Sequence, residues 1–321
     1  MFRIVEEKCS DIKVWDDFVD HAVNGTIFHL MSFLSYHGNR FQDRERHLAI
    51  FDDNSRFAQV SLSIDDFNGE RIARSPYGAS YGGFVFNKVP SYRDGGDLLN
   101  VFIDYLLSQD LSRFVITSPL ACCSEYSMDT FYFNLLEKGF RSVNRDISSV
   151  FPLKTGSSID SMVSTRARRM ERKAINAGIA IGKRADIKNF WKVMDSTFEK
   201  HGTSPTHTLE EFRLLTELLP ERVYVDVAYK DEVPIAGIGY LVINNRVNSS
   251  FYLCQDPDYQ KYQGLSYLIM EALRNCQDNG FCYFDFGTSS FNMIARENIF
   301  SFKENFTKSG MFRETFEWIK A

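Results

Sequence analysis

Apolar positions along the chain follow two different spacings. Short runs rich in β-branched and aromatic residues, bounded by Gly, Asn and Asp, predict strands. Apolar residues three and four positions apart predict helices with one buried face, most clearly from Leu265 to Cys276. The predicted strands are 47–51, 57–64, 71–74, 114–117, 144–151, 179–181, 223–229, 235–243, 247–254, 281–286 and 312–319, and the predicted helices are 14–23, 98–107, 128–137, 159–177, 187–200, 208–218, 265–276 and 290–305.

These predicted elements occur in the same order in the two halves of the chain. Each half has a strand meander followed by a helix, a strand, a helix and a final strand, and Gly139-Phe140 and Gly280-Phe281 occupy matching junctions. The polar segment 152–158, which contains Pro and Gly, predicts a boundary. The predicted fold class is α/β (α+β), with lobes at 1–152 and 153–321, each a mixed twisted sheet flanked by helices.

Composition and charge narrow the classes of function. The 321 residues are 44% apolar and 25% charged, which is typical of globular domains, and the net charge of −5 disfavours nucleic acid as a partner. The charged N-terminus and the lack of a long apolar run predict a soluble cytoplasmic protein without a membrane span. No cysteine spacing suits zinc or disulfides, so we expect no metal and free thiols at Cys9, Cys122, Cys123, Cys254, Cys276 and Cys282.

A polar segment between a strand and a helix is the first candidate site. Residues 256–266 lead from the end of the 247–254 strand to a helix that begins near Gly264. Exposed amides at a helix start bind anions, and glycine allows a phosphate to approach closely. A solvated turn before an ordinary helix start explains the same segment, so both interpretations stay open.

A second candidate follows the strand 281–286. Asp285, between two phenylalanines, is either a general base or hydrogen-bond anchor for an amine, or a structural residue that fixes the following turn. Lys303, in a Phe-Lys-x-x-Phe pattern, is either a phosphate ligand or a surface lysine. Cys254 is a conceivable acyl-carrying nucleophile, although a buried core thiol explains it better.

Basic and aromatic residues elsewhere offer candidate contacts to an acceptor. Arg166, Arg169 and Lys173 share one face of a predicted helix, which either binds a diphosphate or is simply solvated. The glycine-rich segment 75–83 presents two tyrosines, which either stack on a ligand or fill the core. Four scattered histidines have the chemistry for proton relay or for structural hydrogen bonds: His29, His37, His201 and His207.

The motifs of the second half resemble those of the FemAB-like acyltransferases, which are built from two GNAT lobes. The resemblance is carried by Phe284-Asp285-Phe286-Gly287, by Phe302-Lys303-Glu304-Asn305-Phe306 and by the basic helix 164–174. The turn 261–266 is similar to the GNAT pyrophosphate turn, with only the central glycine kept as such. Segments 24–37 and 75–83 are similar to those of nucleotide-sugar enzymes of surface-polysaccharide (lipopolysaccharide O-antigen) biosynthesis.

This resemblance implies direct transfer of an acyl group from acyl-CoA to the amine of a nucleotide-linked sugar. An example is a hydroxybutyryl group transferred to dTDP-3-amino-3,6-dideoxygalactose. It implies Asp285 as the base. The implied CoA contacts are Tyr252, Leu253, Cys254, Gln263, Gly264, Leu265 and Ser266, and the implied acceptor contacts are His29, Tyr81, Arg166, Arg169, His207 and Lys303.

Two other functions fit parts of the same sequence. One is an aminoacyl-tRNA-dependent peptidyl aminoacyltransferase of the FemAB type, which the acidic net charge and the short helices at 187–218 disfavour. The other is a non-catalytic module in which duplicated lobes dock a sugar or a protein, which the incomplete glycine turn favours. A measurement of CoA binding distinguishes a CoA-dependent acyltransferase from this non-catalytic module.

Overall fold

The computed structural model of the protein describes residues 1–7 and 12–320, so the thiol of Cys9 lies outside the described residues. Strands and helices alternate along most of the chain. The strands are β1 (Phe2–Glu7), β2 (Glu45–Asp52), β3 (Ser55–Phe67), β4 (Glu70–Ser75), β5 (Val85–Phe86), β6 (Arg113–Thr117), β7 (Arg141–Pro152), β8 (Ala180–Gly182), β9 (Val223–Lys230), β10 (Val233–Val242), β11 (Val247–Gln255), β12 (Tyr283–Thr288), β13 (Ser290–Phe291), β14 (Ile294–Ala295) and β15 (Gly310–Ile319). The helices are α1 (Ile12–His21), α2 (Met31–Leu34), α3 (Tyr92–Ser108), α4 (Asp129–Glu137), α5 (Ile159–Met162), α6 (Thr165–Asn176), α7 (Ile187–His201), α8 (Leu209–Leu218), α9 (Gly264–Asp278) and α10 (Glu297–Lys303).

The chain divides into two compact units. Unit 1 consists of Met1–Ile147 and Phe312–Ala321, and unit 2 is Ser148–Met311. The sequence predicted a boundary between residues 152 and 153, whereas the units separate within β7. Thr315–Ile319, predicted in the second lobe, pair with β6 of unit 1. The apolar alternation of this terminal segment predicts a strand but carries no information about which sheet the strand joins.

The sheet of unit 1 has the order β1-β2-β3-β4-β6-β15, with β5 on the free part of β3. Its neighbours pair antiparallel except for β4 and β6, which are parallel. A parallel pair needs a crossover, and β5 with α3 supplies it. Leu98, Leu99, Phe102 and Leu106 of α3 pack with Phe114 of β6 in the main apolar core.

The sheet of unit 2 repeats this arrangement. Its order is β7-β12-β11-β10-β9-β8, and the single parallel pair is β11 with β12. The crossover is α9, whose buried face of Leu265, Leu268, Ile269 and Leu273 packs on the sheet. The α/β class of two units, each a mixed sheet flanked by helices, is therefore confirmed.

Two predicted helices differ from the structure. The helix predicted at 159–177 is broken into α5 and α6, because the side chain of Ser164 accepts the amide of Ala167 and starts a new helix. The first residues of the helix predicted at 290–305 form the hairpin of β13 and β14 instead. Asn292 and Met293 at its turn have φ values of 50° and 60°, as a two-residue hairpin requires.

None of the helices that the structure describes is long and apolar enough to cross a membrane.

Candidate functional site

The central feature of unit 2 is the divergence of its two parallel strands. β11 pairs with β12 only at Val247–Ser249, opposite Tyr283–Asp285, yet β11 continues to Gln255. On the other side, β11 stays paired with β10 as far as Gln255. The second half of β11 therefore has one backbone edge that is not paired with β12, and this edge offers amide and carbonyl groups to an extended ligand.

A bulge in β11 marks the place where the strands diverge. Ser250 pairs with Tyr240 and Tyr252 pairs with Gly239, so Phe251 is an extra residue without a partner in the register. A bulge bends its strand and re-aims the neighbouring backbone groups, and bulges are common at functional sites.

The predicted CoA-binding residues of β11 lie directly after this bulge and alternate between the two sheet faces. Leu253 packs on the core beneath α9. Tyr252 and Cys254 face α7 and α8, and both are buried. The Cys254 thiol donates to the Gly237 carbonyl, and burial raises its pKa. A buried thiol with a raised pKa is a poor nucleophile, so the structure supports the core-thiol interpretation and a contact through the backbone alone.

His207 is brought beside Tyr252. Its Nδ1 lies 2.8 Å from the Tyr252 hydroxyl, and its backbone amide donates to the same oxygen at 3.1 Å. Phe212 and Phe251 contact the imidazole ring. His207 is thus close to the diverging strand, but it is buried behind it, and its contact with an acceptor stays a prediction.

The glycine turn leads into α9 as the sequence predicted. Gln263 has a φ of 62° and precedes the first helical residue, Gly264. The side chain of the N-cap residue, Gln263, does not cap this helix start, but Gln255 Oε1 accepts the Leu265 amide at 3.2 Å. A Cβ on Gly264 would lie 3.0 Å from Ile235 Cδ1, so glycine lets the helix start pack closely on the sheet. The Gln263 amide donates to the Gln260 carbonyl, so the Gly264 and Ser266 amides are the ones that suit an anionic group.

The basic helix α6 packs beside the start of α9. Ser266 Oγ lies 3.6 Å from the Met170 sulfur, and Ser266 also contacts Gln263. Arg166 and Lys173, four residues before and three after Met170, flank it along the same helix face. Arg166, Arg169 and Lys173 are exposed and make no ion pair with the residues that the structure describes. Positive charge without a protein partner therefore lies near the α9 amides.

Asp285 is held in place by three donors at the end of β12. Its Oδ1 accepts from Ser148 Oγ at 2.6 Å and from the Gly287 amide at 2.8 Å. Its Oδ2 has only a long contact of 3.4 Å with Ser249 Oγ. The Gly287 bond closes a bulge in β12, so Asp285 has the structural role that the sequence offered as one alternative. Oδ2 retains the capacity to accept a proton or an amine hydrogen bond.

Lys303 reaches back from α10 to the same strand end. Its Nζ donates to the Gly287 and Thr288 carbonyls at 2.8 and 2.9 Å. The side chain is only 5% exposed, which excludes the surface-lysine interpretation. Burial lowers the pKa of Lys303 to about 8, against the opposing effect of Asp285. An ammonium has three donors, so one N–H remains for a ligand.

The predicted acceptor residues of the first half lie inside unit 1. His29 Nδ1 is 2.7 Å from Thr26 Oγ1, and burial lowers the pKa of His29 to about 4. Tyr81 packs edge-on against Phe28 and reaches the sulfur of Cys123. Both side chains are buried and contact unit 1 residues, and their contact with an acceptor stays a prediction.

Sequence reasoning missed the polar residues that support the site. Ser148 lies 137 positions before the carboxylate that it contacts, so no local pattern predicts the contact. Ser249 and Gln255 lie on β11 itself. Their polarity within an otherwise apolar strand is a signal that was present in the sequence.

Comparison with known proteins identifies the class. Residues 161–295 match the family described as an acetyltransferase (GNAT) domain, so unit 2 contains a GNAT domain. The crystal structure of FemX superposes with a TM-score of 0.73 at 12% identity, covering 99% of this chain and 97% of that one. A tandem GNAT protein from the clavulanic acid biosynthesis pathway gives 0.56 at 9% identity, covering 99% and 98%. L-PGS from Bacillus licheniformis gives 0.59 at 10% identity, covering 95% and 90%.

At these identities the structural likeness establishes the fold alone. No curated protein sequence matches the chain significantly. Residues 161–295 thus match a GNAT acetyltransferase domain, and the chain shares its fold with FemX and with a tandem GNAT protein.

Proposed function

We propose that the protein is an N-acyltransferase that transfers an acyl group from acyl-CoA to the amine of a nucleotide-linked amino sugar. The observation that carries the acyl-transfer part is the divergence of β11 from β12 directly before the uncapped start of α9. This arrangement lies within the residues that match the GNAT domain. It offers a strand edge not paired with β12 for an extended amide-containing chain, and helix amides for a diphosphate.

The residues present fit acyl-CoA. Backbone groups of Phe251–Cys254 would bind its pantetheine arm and thioester. Within the turn Gln263–Ser266, the Gly264 and Ser266 amides would bind its pyrophosphate. Lys173, together with Arg166, which the resemblance assigned to the acceptor, lies on the face of α6 whose Met170 contacts Ser266, and both would neutralise phosphate charge. Bound acyl-CoA supplies an activated thioester carbonyl.

Three groups of the chain would take part in the reaction. Asp285 Oδ2 accepts the proton that the amine loses as its nitrogen attacks the carbonyl carbon. Amides near the β11 bulge, together with the remaining N–H of Lys303, stabilise negative charge on the carbonyl oxygen. The carbon–sulfur bond then breaks, the amide remains on the acceptor, and the thiolate leaves and takes up a proton.

The acceptor class rests on sequence resemblance and on charge. Segments 24–37 and 75–83 resemble those of nucleotide-sugar enzymes, and dTDP-3-amino-3,6-dideoxygalactose with a hydroxybutyryl donor is the example that this resemblance suggests. Arg169, exposed on α6 and without an ion-pair partner among the described residues, would add a contact to the acceptor's diphosphate.

A substrate panel tests this proposal. The protein is incubated with acetyl-, butyryl- and hydroxybutyryl-CoA, each with dTDP- or UDP-amino sugars, while thiol release and product mass are followed. We expect thiol release that depends on the amine, with a mass gain of one acyl group. Transfer from aminoacyl-tRNA but from no acyl-CoA would replace this function with a FemAB-type aminoacyltransferase. The absence of any transfer, together with binding of the sugar, would favour a non-catalytic module.

A further inference from the structure

A cavity of about 190 Å³ in unit 1 has a lining that the proposed acyl transfer does not use. Its floor is one face of the unit 1 sheet, at the ends of neighbouring strands. The lining residues are Arg74, Ser75, Pro76, Ala79, Ser80, Val115, Thr117, Asn144, Arg313 and Thr315. No carboxylate belongs to this set.

Strand register explains why these side chains meet. Arg74 is opposite Val115, and Thr117 is opposite Thr315, which lies two positions after Arg313. Side chains two positions apart share a face, so all five are on the same side of the sheet. The intervening residues, including Phe114, Ile116 and Phe316, fill the apolar core on the opposite side. The cavity is therefore a polar surface on the back of a packed sheet.

The side chains of the two cavity arginines have no polar partner among the described residues. Neither the Arg74 nor the Arg313 guanidinium makes a hydrogen bond or ion pair with any residue that the structure describes. Carboxylates on neighbouring strands already have partners: Glu317 is bound by Arg113 and Asp65 by Arg44. Asp146 accepts a hydrogen bond from the side-chain amide of the lining residue Asn144 at 2.9 Å. Two uncompensated guanidinium groups that line one cavity repel each other, so an anion between them lowers the electrostatic energy.

The remaining lining provides neutral donors. Thr117 and Thr315 share a hydrogen bond of 2.9 Å between their hydroxyls, which leaves one O–H of the pair to point outward. Ser80 makes no hydrogen bond with the described residues. The loop that carries Ser80 is tied to the strand ends, because the Gly82 amide donates to the Thr117 carbonyl at 2.9 Å. The cavity wall is thus held in place by the backbone.

We infer that this cavity is a binding site for a phosphate or diphosphate group. Arginine forks match phosphate oxygens with two parallel hydrogen bonds, and hydroxyl donors complete such sites. The volume equals that of about six water molecules at roughly 30 Å³ each, which leaves room for more than a single small ion. The small volume of this half-open cavity and the acidic net charge of the chain favour a small phosphorylated ligand over a nucleic acid backbone. The inference holds whether or not unit 2 transfers acyl groups.

Calorimetric titrations of the full chain test it with four probes: inorganic phosphate, inorganic pyrophosphate, UDP and dTDP. The single variants Arg74→Gln and Arg313→Gln remove one guanidinium each. Arg93→Gln is the matched control, because Arg93 is an exposed unit 1 arginine outside the cavity. Arg166→Gln reports on phosphate binding at the α9 turn of unit 2. Neither cavity arginine has a contact to lose, so we expect these variants to melt like wild type.

We expect pyrophosphate to bind wild type and Arg93→Gln with similar affinity, and each cavity variant about tenfold more weakly. Tighter binding of UDP or dTDP than of pyrophosphate would identify a nucleotide as the source of the diphosphate. Equal binding of every probe by wild type and the cavity variants, or no binding at all, would overturn the inference. The same variants are also titrated with CoA. Loss of pyrophosphate binding with unchanged CoA binding would assign the effect to unit 1 alone. This outcome keeps the inference separate from the acyl-transfer proposal.

Discussion

The two roles of Asp285 can be separated at the level of single atoms. Its Oδ1 accepts hydrogen bonds from the Ser148 hydroxyl and the Gly287 amide. Its Oδ2 has only a long contact with Ser249 and can still accept a proton or a hydrogen bond. An asparagine oxygen can keep the first pair of hydrogen bonds but cannot accept a proton. Substitution by asparagine therefore tests the base without removing the structural contacts.

We expect Asp285→Asn to lower kcat by about 100-fold or more, the range of a lost general base, while the melting temperature stays close to that of wild type. Asp285→Ala should lower both kcat and the melting temperature, since it also removes the hydrogen bonds to Ser148 and Gly287. Steady-state thiol release and thermal unfolding measure the two effects.

Asp226→Asn is the matched control for this test. Asp226 is a second buried aspartate of unit 2, and it accepts the Arg184 amide at 2.8 Å. It lies outside the proposed acyl-transfer site, so we expect its variant to retain turnover. Full turnover in Asp285→Asn would remove Asp285 from the chemistry.

Lys303 gives stability a dependence on pH with a defined sign. Its pKa is about 8 in the folded chain, against an ordinary value of 10.5. Between these values the unfolded chain keeps the proton that the folded chain has lost. The free energy of unfolding therefore rises with pH in this interval, as the cost of burying the ammonium is relieved.

The comparison of wild type with Lys303→Met isolates this contribution. We expect wild type to gain stability relative to the variant as the pH rises from 8 to 10.5. Denaturant unfolding at steps through that interval measures the difference. If the free energies of unfolding of the two proteins change equally with pH, Lys303 titrates at its ordinary pKa.

At the scale of elements, the strand–helix–strand from β11 through α9 to β12 was largely predictable. Its parts are contiguous, and the spacing of Leu265, Leu268 and Leu273 defines the helix by itself. The bulge at Phe251 and the early end of the β11–β12 pairing were not predictable. Both depend on the register between strands, which the patterns of both strands and the turn geometry set together, so one strand alone does not specify it.

The position of α6 beside α9 leads to a prediction about donor affinity. Replacing both Arg166 and Lys173 with glutamine removes two cations near the helix amides, so we expect KM for acyl-CoA to rise by about tenfold with kcat little changed. Arg213→Gln is the control, since Arg213 is an exposed unit 2 arginine on α8 that pairs with Glu217. An unchanged KM in the double variant would place the phosphates away from α6.

At the scale of the whole molecule, the repeat of elements was visible in the sequence, but the membership of the last strand was not. Each unit has a sheet with a single parallel pair, as the repeated order of elements suggested. β15 nevertheless completes unit 1, where Phe316 and Trp318 join the core. Long-range pairing of this kind leaves no local signal, because any apolar alternating strand would fit either sheet edge.

Trp318→Ala tests this assignment of β15. The indole is buried in the core of unit 1, so its loss should destabilise that unit by about 3–5 kcal/mol. Hydrogen exchange with mass spectrometry should show lost protection in β6 and α3, with the amides of α9 unaffected. Loss of protection confined to unit 2 would contradict the assignment.

The central claim is that unit 2 holds acyl-CoA at the divergence of β11 and β12 and the start of α9. Calorimetric titration of the wild-type chain with CoA tests it most directly. The account predicts saturable binding of one CoA per chain, weakened in the Arg166 and Lys173 double variant and unaffected by Arg313→Gln. The absence of CoA binding at millimolar concentration would contradict it.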